Sequence, residues 1–174
     1  MPSSLNKQAT PNMQSAINHT EPQPDNQATL KPQGCVLAFD FGEKRIGVAV
    51  GEHLLGIAHP LTTIESETND ERFRIISELI AEWRPSLLVV GLPLTTEGEE
   101  HALTLLSKKF SRRLDGRFGL PVVMVDERYT SVEASRMLSQ MGVSARKQKP
   151  MLDAVAAQHI LQSYFDALPQ HETT

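Results

Sequence analysis

The sequence predicts an α/β fold built on a mixed sheet, antiparallel at its start and parallel afterwards. Three observations predict it. An apolar run from Cys35 to Phe39 ends on Asp40, turns at Gly42-Glu43-Lys44 and resumes as an alternating strand through Ile46, Val48 and Val50, which is a hairpin. Two later apolar runs, Leu87 to Val90 and Val122 to Val125, each lead into a segment of helical spacing, the signature of parallel strands joined by crossovers. With 174 residues and 40% hydrophobic content, the chain can bury one sizeable core.

Residues 1–33 are rich in Gln, Asn, Pro, Ser and Thr, lack aromatic residues and show no sustained period, so they are expected to be disordered. The first strand is a continuous apolar run, which suits burial on both faces; in the second, Gly47, Ala49 and Gly51 suit a neighbour packed closely on one side. Leu54 to Ile64 reads as a third strand, with Gly56 and Pro60 marking a bulge or an edge. Asn69 or Asp70 can cap a helix from Glu71 to Trp83, with Phe73, Ile76, Ile80 and Trp83 on one stripe, and Arg84-Pro85 ends it.

After the Leu87 to Val90 strand, Gly91-Leu92-Pro93 is a break and Thr95 to Glu100 a polar loop. A helix is expected from about Glu99 to Leu114, burying Leu103, Leu106 and Phe110, leaving Lys108, Lys109, Arg112 and Arg113 in solvent, and closed by Asp115-Gly116 and Gly119. The last strand runs into Asp126-Glu127-Arg128, and a helix opening on Thr130-Ser131 should end at Gly142. Pro150 suits the first turn of a closing helix in which Asp153, Ala156 or Ala157, Ile160 and Tyr164 share a stripe. The expected organisation is a tail over 1–33, one domain over 34–168 and a short tail over 169–174.

Composition excludes some classes of function. The tail is neutral, with Lys7 and Lys31 against Glu21 and Asp25, so the net charge of -4 belongs to the folded part. Mild acidity argues against gripping duplex nucleic acid by overall charge, while a local basic patch can still hold phosphates. The single cysteine rules out an intramolecular disulfide and fits a reducing compartment. No run reaches the ~20 apolar residues of a membrane span, and no signal-peptide core is present, so a cytoplasmic protein is expected. The state expected is a monomer or weak homodimer.

Three acidic sites stand out: Asp40, the Asp126-Glu127 pair and Asp153. Two end apolar strands and one opens a helix with the small residues Ala154, Ala156 and Ala157. Any one is explained by solvation or the helix dipole. Together, on the edge formed by the C-terminal ends of parallel strands, they form a hard oxygen set suited to Mg²⁺ or Mn²⁺. Two such ions about 4 Å apart would activate water and stabilise the leaving oxygen in phosphodiester hydrolysis. Lys44, Arg45, Arg128, Arg146, Lys147 and Lys149 each lie near a candidate ligand and could clamp nucleic-acid phosphates. His53, His59 and His101 show no metal-ligand spacing, and His159 is read as a satisfied helix histidine.

The motifs AFDFGEKRIGVAVG, VVGLPLTTEGEE, VDERYTSVEA and LDAVAAQHILQSYFD, in this order between Cys35 and Asp166, resemble the YqgF (RuvX) family, nucleases of pre-16S ribosomal RNA related to Holliday-junction resolvases. The resemblance implies a ribonuclease-H-like fold: a five-stranded mixed sheet, its first three strands antiparallel, flanked by helices. It also implies a cytoplasmic bacterial protein that matures the 5′ end of the small-subunit ribosomal RNA, with precursor RNA, the small-subunit precursor or structured DNA as partner. The family's acids fall on Asp40, on Asp126 to Arg128 and on Asp153, and the match leaves open which of Asp126 and Glu127 faces a metal. Gly51-Glu52, Tyr129 and Ser131 depart from the family's usual Ser-Asp, Leu and Thr.

Two other classes compete. The Asp-Phe-Gly turn also resembles the phosphate-binding hairpin of actin-like and sugar-kinase-type modules, which ATP binding without nuclease activity would favour. A non-catalytic RNA-binding or ribosome-assembly factor could keep the same fold, although the intact acidic set counts against it. Deleting residues 1–33 is expected to leave the melting temperature nearly unchanged; a large fall in a thermal melt would show that the tail is folded against the core.

Overall fold

A computed structural model of the chain describes residues 33–128, 140, 142 and 145–169, for 145–149 the backbone only. Five strands form one sheet: β1 (Cys35–Phe41), β2 (Arg45–Glu52), β3 (Ile57–Glu65), β4 (Leu87–Leu92) and β5 (Val122–Asp126). Their order is β3-β2-β1-β4-β5. β1 pairs antiparallel with β2 and β2 with β3, while β1 with β4 and β4 with β5 are parallel. This is the mixed sheet expected from the sequence. The C-terminal ends of β1, β4 and β5 therefore share one edge, and β3, antiparallel to β2, also ends there.

Strand alternation divides the core between two faces. Leu37, Phe39, Ile46, Val48, Leu88 and Val90 pack on one face with α1 (Asn69–Trp83) and α2 (Ala102–Phe118) through Phe73, Ile76, Phe110 and Leu114. On the other face Val36, Ala38, Ala49 and Val89 meet α3 (Ala145–Ala167) through Ala157, Ile160, Leu161 and Phe165. β1 is thus covered on both sides, as its unbroken apolar run requires.

Several boundaries differ from the sequence reading. β3 starts at Ile57, because Gly56, with φ +63, closes the turn from β2 and its N–H bonds Glu52 O at 2.9 Å. Pro60 sits beside a register shift on this edge strand. There α3 covers the edge: Gln162 accepts from Ala58 N–H at 3.1 Å and donates to Gly56 O at 2.9 Å, and Gln158 donates to Ala58 O at 3.0 Å. Thr68, not Asn69 or Asp70, caps α1 by accepting from Glu71 N–H. Arg84 ends that helix in the left-handed region, at φ 46.

α2 begins at Ala102 and runs through Asp115-Gly116 to Phe118, with Gly119 as its left-handed cap. Its buried face is Thr104, Ser107, Phe110 and Leu114, so Leu103 and Leu106 are only half-buried. Thr104 explains the rotation. Its hydroxyl accepts from His101 N–H and donates to Pro93 O, tying the helix start to the loop after β4. α3 takes in the basic segment, so Pro150 lies inside the helix and not in its first turn. The expected helix from Thr130 to Gly142 and both expected tails lie outside the described residues, except at Gln33, Gln140, Gly142 and Pro169.

Two sheet glycines decide how close α3 comes. A Cβ on Gly47 would stand 1.9 Å from the backbone oxygen of Asp153, and one on Gly51 2.6 Å from the Phe165 ring. Gly47→Ala should therefore cost about 3 kcal/mol in urea unfolding, the upper range for overpacking a core. Gly116→Ala, in an α2 position with no atom within 4 Å of the new methyl, should instead gain about 1 kcal/mol.

Candidate active site

Asp40 is the sixth residue of β1 and lies opposite Gly47 in the β1–β2 register. It follows Ala38 on the α3 face, at the level where the strand leaves its apolar cover. Across the sheet, Phe39 pairs with Val90, so Asp40 stands level with Gly91. Neither in-sheet neighbour on that face carries a side chain.

The same alternation settles the geometry at the end of β5. Val125 packs on the α3 face and Val122 and Met124 on the other. Glu127, two residues past Val125, returns to the α3 face, while Asp126 falls on the opposite one. The Glu127 N–H bonds Leu92 O at 3.2 Å, holding the residue in line with β4. Its carboxyl then reaches over Gly91, where a Cβ would stand 2.2 Å from Glu127 Oε2. It hydrogen-bonds Asp40 across that gap.

This pair is electrostatically loaded. Burial, more than any charge, pushes Asp40 up to about 6; the Asp153 charge adds to the rise and the hydrogen bond from Glu127 offsets part of it. Burial also pushes Glu127 up to about 9, with the Asp40 charge, the hydrogen bond to Asp40 and the Asp126 charge adding to it. Glu127 is the protonated partner and donates to the Asp40 carboxylate.

Asp153 comes from α3, its backbone seated on Gly47. Its carboxylate accepts from Arg45 Nε at 2.7 Å, and this partly buried ion pair holds Arg45 charged above its usual range. The structure thus brings Asp40, Glu127 and Asp153 to one edge and joins Arg45 to them. Asp126 is separate: it accepts from the Arg128 side chain, at 2.7 Å from Nε, and from Arg128 N–H at 3.0 Å. Burial tends to raise Asp126, and these bonds outweigh it, leaving the carboxyl below its usual value.

The donor set fits a hard divalent cation in kind: three carboxylates, with no histidine or cysteine among them. As the side chains stand, no group of three or more acids, histidines or cysteines among the described residues is gathered tightly enough to hold one ion. Arg45 occupies Asp153, and a proton occupies the pair. Of the proposed phosphate contacts, Lys44 is exposed at the hairpin tip, Arg45 binds Asp153 and Arg128 binds Asp126. The side chains of Arg146, Lys147 and Lys149 lie outside the described residues.

Sequence reasoning missed the role of Gly91, read only as a strand break, and left open which of Asp126 and Glu127 turns to the face of Asp40. Counting alternation from Val125 onto the end of β5 gives that choice without a structure.

Comparison with known proteins gives one family. A family model described as "RuvX: Holliday junction resolvase" matches residues 34–167. A protein of Methylobacillus flagellatus named "Putative pre-16S rRNA nuclease" is 69% identical over 136 residues, 78% of this chain and 93% of its own length. One of the same name from Chromobacterium violaceum is 61% identical over 131 residues, 75% of this chain and 96% of its own. Among solved structures, Thermus thermophilus RuvC in complex with a Holliday junction substrate aligns with a TM-score of 0.48 and 17% identity, covering 77% of this chain and 94% of that one.

The protonated pair fixes a pH dependence for the metal-free protein. Glu127 is bound to its proton up to about pH 9 when folded but only to about 4.5 when unfolded, and Asp40 to about 6 against 3.8. Between these values the folded state holds more protons, so stability falls as pH rises. In EDTA the melting temperature should be higher at pH 6 than at pH 9, and Glu127→Gln should remove most of that slope.

Proposed function

The chain belongs to the RuvX family, and from that premise we propose that it hydrolyses phosphodiester bonds of RNA in the cytoplasm, maturing the 5′ end of precursor 16S ribosomal RNA. The carrying observation is the carboxyl pair Asp40–Glu127, half-buried and in contact at the C-terminal edge of the sheet with Asp153 beside it. Burying two carboxyls in contact is costly unless a cation or a proton intervenes. A fold that builds such a pair at a ligand-binding edge gains an ion site by doing so. The names of the relatives support the substrate.

Asp40 and Glu127 are assigned to hold the divalent cation, Mg²⁺ or Mn²⁺, and Asp153 joins them when Arg45 lets it go. A cation bound there supplies Lewis-acid polarisation of the phosphate and an activated water. The chain's own residues do the rest. β1, buried on both faces, keeps Asp40 rigid, and the Glu127–Leu92 backbone bond fixes the second carboxyl. Loss of the shared proton prepares the pair for the ion. Arg45 exchanges its carboxylate for a substrate phosphate, a trade between two anions that suit the same guanidinium fork. Asp126, bonded to Arg128, is assigned a supporting role and not a place among the ligands.

Purified protein with Mn²⁺ or Mg²⁺ should cleave single-stranded RNA of the precursor-end sequence faster than a branched DNA junction, and EDTA should stop it. Asp40→Asn and Glu127→Gln should each lower the rate at least about a hundredfold, the scale of losing one charge-stabilising group, with the fold intact by circular dichroism. Asp126→Asn should cost about tenfold or less, as for a supporting contact. Unchanged cleavage by both Asp40→Asn and Asp153→Asn would refute the site, and preferred cleavage of the junction would refute the substrate.

A further inference from the structure

On the other side of the sheet from the carboxylates, the N-terminal halves of α1 and α2 leave a cleft between them. It holds a cavity of about 160 Å³ whose lining includes Phe41, Arg72, Phe73, Lys109, Phe110 and Arg113. Phe41 is the last residue of β1 and follows Asp40, so the cleft opens beside the same sheet edge as the acids.

Arg72 is the unusual member. It is only 5% exposed, yet no carboxylate is bonded to it among the described residues. Its guanidinium donates to two backbone carbonyls, Ser66 O and Glu43 O, and lies 5.9 Å from the centre of the Phe41 ring. Two of its five N–H donors are thereby used. Burial lowers its proton affinity, so the charge is poorly solvated where it stands.

Lys109 and Arg113 face the same cavity, and neither forms an ion pair among the described residues. One turn further on, Arg117 lies 4.2 Å above the Phe73 ring, in an adjoining depression that also includes Asp70 and Arg74. Lys109, Arg113 and Arg117 stand four residues apart on one face of α2, at a rise of about 6 Å per step. The floor is aromatic, with Phe41 and Phe110 stacked at 4.9 Å between centroids. An apolar floor strengthens each cation's hold on an anion above it. A free anion needs one such cation; a row at regular spacing matches the repeating charge of a nucleic-acid strand.

We propose that the α1–α2 cleft binds backbone phosphates of the single-stranded RNA whose scissile bond lies at the carboxylate edge. The proposal rests on the nuclease reading. Arg72 ties the cleft to the hairpin turn through Glu43 O, so the strand held there passes the tip from which Asp40 and Arg45 project.

The test is fluorescence anisotropy of a labelled single-stranded oligoribonucleotide on the full chain in EDTA, across a range of KCl. The wild type is compared with Lys109→Gln/Arg113→Gln and with Arg112→Gln, an exposed α2 cation outside the cavity lining. Each lost phosphate contact lowers the slope of log affinity against log salt by about 0.7, so the double variant should lose about 1.4 and Arg112→Gln less than half of that. Equal slopes in the wild type and the double variant, with unchanged thermal melts, would overturn the proposal. So would displacement of the oligonucleotide by uridine monophosphate at far lower concentration than by inorganic phosphate, because the cleft would then be a mononucleotide site. A parallel cleavage assay separates the two readings. Slope loss without any wild-type cleavage supports the cleft and refutes the nuclease; cleavage with an unchanged slope refutes the cleft alone.

Discussion

The missing side chains at Gly47 and Gly91 are the constraint on which the acidic edge depends. Asp40 stands between them in the sheet, and each opens a path for a different partner. Over Gly47 the backbone of α3 comes near enough to set Asp153 beside β2, and over Gly91 Glu127 crosses β4 to reach Asp40. A methyl group at the first position would meet backbone, which cannot swing away as a side chain can. At the second it would meet the Glu127 carboxyl and Ile160. The stability lost by leaving glycine in two strands is the cost of bringing three carboxyls from three distant segments together.

Once assembled, the acids cannot all be ionised, and the protein meets this in two ways. A proton held between Asp40 and Glu127 leaves the inner pair with a single negative charge, and Arg45 neutralises Asp153. In the proposed function a cation would take the place of the proton, and Arg45 would leave Asp153 for a phosphate. Asp126 escapes the problem because alternation turns it to the other face, where Arg128 binds it and its carboxyl stays low. Two adjacent acids thus have opposite electrostatic fates for a purely geometric reason.

Much of this was legible in the sequence. The hairpin and the mixed sheet follow from periodicity, because burial on two faces leaves an unbroken apolar run that solvent-facing strands lack. The small residues beside Asp153 signalled its close approach to the sheet, although Asp153 lies in the third turn of α3 and not at the helix start expected for it. Element ends were less legible. Thr68 caps α1 in place of its neighbours through a bond spanning only three residues, Thr104 rotates the buried face of α2 by anchoring to Pro93, and α3 continues through Pro150, whose carbonyl accepts from the Thr63 hydroxyl of β3. Arg72 was beyond reach. A buried arginine bonded only to carbonyls of Glu43 and Ser66 reads, in sequence, as one more solvated cation of a helix first turn.

The hairpin turn is held from both faces of the sheet, and this couples binding to the site. Arg72 grips it through the Glu43 carbonyl on the α1 side, and Arg45, two residues on, grips Asp153 on the α3 side. A phosphate drawing Arg45 away would free Asp153 while Arg72 keeps the turn in place, so the acid gains freedom without the strand end losing its position. This arrangement lets an acidic chain handle a polyanion. Its net charge of -4 repels nucleic acid at long range, but that repulsion is screened within about 8 Å at physiological salt. Inside that distance the field is set by a few local cations: those at the hairpin border the edge where the carboxyl pair is carried, and those along α2 lead away from it on the other face of the sheet.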